Sequence, residues 1–144
     1  MHYEALRVIG GAAAGVRDHR RAVLVVIFGV LTAHLTEIAL YAAALWVGHR
    51  LGLGALGGVS APHAAQYLYL SAETYTTLGL GDIYPSGDLR LIAALEPLIG
   101  MLMIGWSGSY TYLAVQRYWV DLAPTSAARS GAATSNPPEP PPCP

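Results

Sequence analysis

The chain has 144 residues, of which 53% are hydrophobic and 12% charged, with a formal net charge of −1. That composition fits a small membrane protein with one folded domain and is poor for a soluble one. All eight basic residues are arginine and they are scattered, so no nucleic-acid-binding stripe forms, and the single cysteine, Cys143, excludes an intrachain disulfide or a cysteine-rich metal site.

Residues 1–21 are expected to form a cytoplasmic N-terminal segment carrying Arg7, Arg17, Arg20 and Arg21. Residues 22–47 then run AVLVVIFGVLTAHLTEIALYAAALWV without arginine or proline. At about 1.5 Å per residue that run exceeds a hydrocarbon core of roughly 30 Å, which predicts a transmembrane helix. A cleavable signal peptide would also follow arginines, but its apolar region would be shorter and free of His34 and Glu37.

His34, Glu37 and Tyr41 share one face of this helix, and intramembrane His and Glu are functional candidates by default. One reading is a proton relay or metal site, with Glu96 of the later span. The favoured one is interhelical hydrogen bonding, because two ligands three residues apart make no metal site without others.

A glycine-rich link over 48–58 leads to Ser60 and Pro62, read as helix-start signals, and then to a helix over about 62–76 that is too short to cross a membrane. His49 and His63 are placed in this loop region. Next comes TLGLGD, residues 77–82, where glycine alternates with leucine. Glycine takes positive φ at little cost, so the alternation lets successive carbonyls point one way, which a regular strand does not allow. Inside a membrane such backbone survives only where protein encloses it or it lines a watery path. Inward-facing carbonyls form a cation site.

Residues 89–115 are apolar apart from Arg90 and Glu96 and make up most of the second predicted span, about 89–117, which runs into the interfacial mixture Gln116, Arg117, Tyr118, Trp119. Glu96-Pro97 loosens its backbone, and Gly105, Ser107, Gly108 and Ser109 suit close helix packing. The arginine balance places both termini in the cytoplasm. Residues 120–144 are proline-rich and expected to be disordered.

Thr76-Thr77-Leu78-Gly79-Leu80-Gly81-Asp82 resembles the selectivity filter of bacterial two-transmembrane potassium channels, and Ser71, Glu73, Thr74, Ile83-Tyr84-Pro85 and Gly100 fall at matching positions. The resemblance covers 22–119. It implies an all-α membrane protein with two transmembrane helices, a re-entrant pore helix and a filter loop, assembled as a homotetramer in the plasma-membrane bilayer. The implied activity is passive K⁺ conduction, with no enzymatic step and no cofactor beyond the permeant ion. Carbonyls that replace the ion's hydration shell are a property of that family, not something read from this spacing.

The same resemblance makes Thr77, Leu78, Gly79, Leu80 and Gly81 the ion-binding segment, Glu73, Asp82, Tyr69 and Leu70 its supports, and Gly100 a gating hinge, with the gate near 111–115. Leu78 and Leu80 depart from the usual valine or isoleucine and aromatic. Leu70 is expected to pack behind Leu80, Tyr69 to bond Asp82, and Glu73 to share a proton with Asp82. The alternatives are a less selective monovalent cation channel, a proton- or metal-coupled transporter using His34, Glu37 and Glu96, and an accessory subunit with a vestigial filter.

Overall fold

The computed structural model describes residues 1–120, with side chains through residue 117. The proline-rich segment and Cys143 lie outside the described residues. In chain order the elements are α1 (His2–Ala14), α2 (His19–Arg50), β1 (Leu56–Gly57), α3 (Ala64–Tyr75), β2 (Tyr84–Pro85) and α4 (Leu89–Val120). Among the described residues, two helices are long and apolar enough to cross a membrane, α2 and the part of α4 over Leu89–Arg117.

Residue type explains why α2 and α4 are helices without a soluble-type core. Only 6% of the most apolar window of α2 and 22% of that of α4 is buried within the chain. Leu24, Phe28, Leu31 and Leu35 of α2 and Leu98, Met101 and Leu102 of α4 point outward. Outward apolar faces of this extent require lipid or protein neighbours. The Thr32 and Thr36 hydroxyls donate to the Phe28 and Thr32 carbonyls at 2.7 and 2.8 Å, so α2 satisfies them internally. At its start, Asp18 accepts from the Arg20 N–H at 3.0 Å, an N-cap worth about 0.5–2 kcal/mol.

Residues 1–21 do more than lead into α2. His2, Leu6, Ile9 and Ala13 recur at helical spacing and are the buried face of α1. Leu6, Ile9 and Ala13 cluster with Ala22 and Val26 of α2, with Tyr110 and Ala114 packed alongside. The Tyr110 hydroxyl donates to the Leu6 carbonyl at 3.2 Å. α1 therefore folds back along α2 against α4.

α3 packs against both α2 and α4. Its N-cap is His63, whose N–H donates to the Gln66 side-chain oxygen at 2.7 Å, so the start signal lies just past Ser60 and Pro62. A second cluster, including Ala42 and Leu45 of α2, Tyr67 and Leu70 of α3, Ile83 and Leu89, fixes α3 to its neighbours. The glycine-rich link is tied to the chain following residue 82, because β1 pairs antiparallel with β2, Leu56 opposite Pro85 and Gly57 opposite Tyr84. Gly58 has φ +85, and a Cβ there would meet the Asp82 carbonyl at 1.9 Å, so this approach admits only glycine.

Candidate functional site

The loop 76–82 leaves the C-terminus of α3 under dense backbone control. The Glu73 carbonyl accepts from both Leu78 N–H at 2.8 Å and Gly79 N–H at 3.2 Å, while Thr77 N–H donates to the Thr74 carbonyl at 3.0 Å. The Glu73 side chain, 4% exposed, accepts from Leu80 N–H at 3.1 Å. One glutamate thus holds three successive loop amides.

The loop alternates in hand. Thr77, Gly79 and Gly81 have φ of 62, 56 and 76, and Thr77 is the sole non-glycine with positive φ among the described residues. A β-branched residue there is strained by about 1–3 kcal/mol, a conformation that persists only when its surroundings impose it. Left-handed residues at every second position rotate alternate peptide planes, which is what turns a zigzag of carbonyls toward one side. A Cβ at Gly79 or Gly81 would meet nothing within 4 Å, and Leu78 and Leu80 are 63% and 61% exposed. The loop is therefore held from the α3 side and open on the other.

The expected supports are distributed differently from the sequence reading in two respects. Tyr69 does donate to Asp82, at 3.0 and 3.3 Å to the two carboxylate oxygens. Loss of water around the ring, and then the Asp82 acceptor, push its hydroxyl above the ordinary tyrosine value, so it remains a donor at neutral pH. Glu73, however, takes the Leu80 amide and Asp82 takes Tyr69, so the carboxylates have separate partners rather than a shared proton. Leu70 is buried among Ala42, Leu45, Tyr67 and Ile83, a cluster to which Leu80 does not belong. Leu70 therefore packs toward α2 and toward Ile83, just beyond the loop.

A second polar group lies at the end of α3. Tyr75 donates to Glu37 Oε2 at 2.5 Å, and its oxygen is 2.9 Å from His34 Nδ1. His2 Nδ1 lies 2.8 Å from Glu37 Oε1, and His2 Nε2 lies 2.8 Å from Ser107 Oγ. His34 and Glu37 do meet as the helical spacing predicts; His2, Tyr75 and Ser107 were not anticipated. The spacing of His2 with Leu6, Ile9 and Ala13 carried a signal for α1, but nothing local announced where its end would dock.

Glu96 is not part of that group. It is fully buried, 2.5 Å from Ser71 Oγ, and its second oxygen has no hydrogen-bond partner. The same Ser71 oxygen lies 2.8 Å from the Ile38 carbonyl oxygen, linking α2, α3 and α4 at one point. Gly100 faces the last residue of α3: a Cβ there would lie 2.2 Å from the Tyr75 carbonyl oxygen. A Cβ at Gly105 or Gly108 would meet nothing within 4 Å among the described residues.

A family model described as an ion channel matches residues 22–116, well over half of the chain. The chain belongs to this ion-channel family and is an integral membrane protein of ion transport. No curated protein and no solved structure matches the chain. The matched region starts within α2, so α1 lies outside it.

Proposed function

We propose that the chain is the pore-forming subunit of a potassium-selective channel, with α3 as the re-entrant pore helix and residues 77–82 as the filter. The observation that carries this reading is the alternation of positive φ at Thr77, Gly79 and Gly81 in a loop fixed from one side and open on the other. Backbone of this kind inside a membrane requires enclosure or a watery path, and four identical chains around one axis supply both. Carbonyls of Thr77, Leu78, Gly79 and Leu80, with Gly81 completing the turn and the Thr77 hydroxyl innermost, replace the ion's hydration shell.

The C-terminal end of α3 directs its negative dipole toward the ion path and favours a cation there. Conduction is passive, needs no cofactor beyond K⁺ itself, and takes place in the plasma membrane, with the turn between α1 and α2 and the C-terminal end of α4 on the cytoplasmic side and α1 lying back along α2. Gly100 opposite Tyr75 is where a movement of α4 would reach the filter helix, so a hinge at that position couples the gate to the filter.

A less selective cation pore is favoured by one observation: the Leu80 side chain, where the family has an aromatic, is largely exposed rather than enclosed by α3. Purified protein in liposomes under a K⁺ gradient separates these readings. Barium-blocked K⁺ flux far exceeding Na⁺ flux, lost in Gly79→Ala, supports the selective channel. Equal K⁺ and Na⁺ flux supports the less selective pore, and flux only under a proton gradient would support the transporter and overturn both. Crosslinking to a ladder that stops at four tests the tetramer.

A further inference from the structure

α1 lies outside the region matched by the ion-channel family, yet its buried His2 sits against a histidine and a glutamate of α2. Glu37 lies eighteen positions along α2 from its first residue, His19, which at about 1.5 Å per residue is roughly 27 Å into the helix. His2 is therefore carried deep into the span, to the level of the end of α3.

The donor atoms there converge. His2 Nδ1 and His34 Nδ1 lie 2.8 and 3.5 Å from the two oxygens of Glu37, and one ligand atom from each of the three residues falls within 4.8 Å of the others. Four ligands at about 2.0–2.1 Å in a tetrahedron stand about 3.3 Å apart, so ligand atoms that already lie within 4.8 Å of one another close by no more than about 1.5 Å to hold one ion. All three side chains are largely withdrawn from solvent, at 5%, 14% and 16% exposed.

We propose that His2, His34 and Glu37 form a binding site for a divalent first-row transition metal, with Zn²⁺ as the fitting ion, which ties α1 to α2 beside the end of α3. Two imidazoles and a carboxylate are the ligand set that such ions accept, and the carboxylate offsets one of the two positive charges. The fourth position falls to water, for which a cavity of about 390 Å³ beside His2, Glu37 and Tyr75 gives access.

The outer partner is in place as well. His2 now donates from Nδ1 to Glu37; when the metal takes Nδ1, the imidazole hydrogen resides on Nε2, 2.8 Å from Ser107 Oγ, which accepts it. Because Glu37 also accepts from Tyr75, two residues before Thr77, metal binding redirects an interaction at the base of the loop. This consequence for current rests on the channel reading; the binding itself does not.

Tag-free full-length protein in detergent, stripped with chelator, is titrated with Co²⁺ and then Zn²⁺. The expected result is one ion per chain, intense visible Co²⁺ bands of tetrahedral type, and their bleaching by Zn²⁺. His2→Ala and His34→Ala lower Zn²⁺ affinity by more than about 100-fold, beyond the range for losing an outer partner, while Ser107→Ala lowers it by about 10–100-fold and His63→Ala leaves it unchanged. Weak octahedral Co²⁺ bands in the wild-type protein, or affinity untouched by His2→Ala, overturn the site. Because the wild-type spectrum decides by itself, a variant that fails to fold does not protect the idea. In liposomes, Zn²⁺ changes K⁺ flux of the wild type and not of His2→Ala; absence of any K⁺ flux counts against the channel reading and leaves the spectroscopic result standing.

Discussion

Replacing Gly100 by alanine tests how closely α4 must approach α3. The added methyl would sit 2.2 Å from the Tyr75 carbonyl oxygen and 3.1 Å from two further Tyr75 atoms. Ordinary contact begins near 3.4 Å, so α4 and the end of α3 must separate by about 1 Å. Neither side yields easily, since the obstacle is backbone and Tyr75 is anchored to Glu37 and His34. Overpacking of this kind costs about 1–3 kcal/mol, against a gain of about 1 kcal/mol from replacing a helical glycine. The net expectation is a loss of up to about 2 kcal/mol. Gly11→Ala is the control, because nothing lies within 4 Å of its added methyl and only the helical gain remains. Equilibrium unfolding in mixed micelles reads both. Gly100→Ala gaining as much stability as Gly11→Ala would refute the close-approach argument.

Glu73→Ala removes the acceptor of Leu80 N–H and is expected to cost about 1.5–3 kcal/mol per chain, the range for a hydrogen bond to a charged group, so conducting lifetimes in planar bilayers shorten at least tenfold. Glu73→Gln keeps a neutral acceptor and shortens them less; identical lifetimes for all three proteins would contradict the contact. The hydroxyl of Tyr69 titrates above its ordinary value, so its bond to Asp82 contributes below pH 10 and is lost only as pH rises through the higher folded value. Difference absorbance between wild type and Tyr69→Phe should accordingly show less than half of the full phenolate signal from this residue at pH 10. Gly29→Ile is expected to push α1 off α2, because even a Cβ at that position meets Ile9 at 2.7 Å. Trypsin cleavage after Arg7 should then accelerate, with cleavage unchanged if α1 is not docked there.

The two long helices and the short one between them were legible from hydropathy and length, because those signals are local and a span needs little else. The alternation of hand in 77–82 was legible for the same reason: two glycines set what the backbone permits before any neighbour is chosen. That Thr77 joins them at φ 62 was not legible, since a β-branched residue reaches that region only when its surroundings impose it, here with Thr74 holding its own amide and Glu73 the next two.

Partners across the chain are where sequence reasoning stopped. Helical spacing put His34 and Glu37 on one face, but the third residue of their group comes from α1, 32 positions before His34. Leu70 and Glu73 illustrate the same limit, since which of several apolar or amide neighbours each meets depends on the rotation of α3 between α2 and α4. Sequence by itself determined the order of helices, the permitted backbone of the loop and the solvent the chain lives in. Only the tertiary structure decided which side chains support the loop and which converge at Glu37, because contacts between distant segments follow from how whole helices pack and not from the preferences of any one of them.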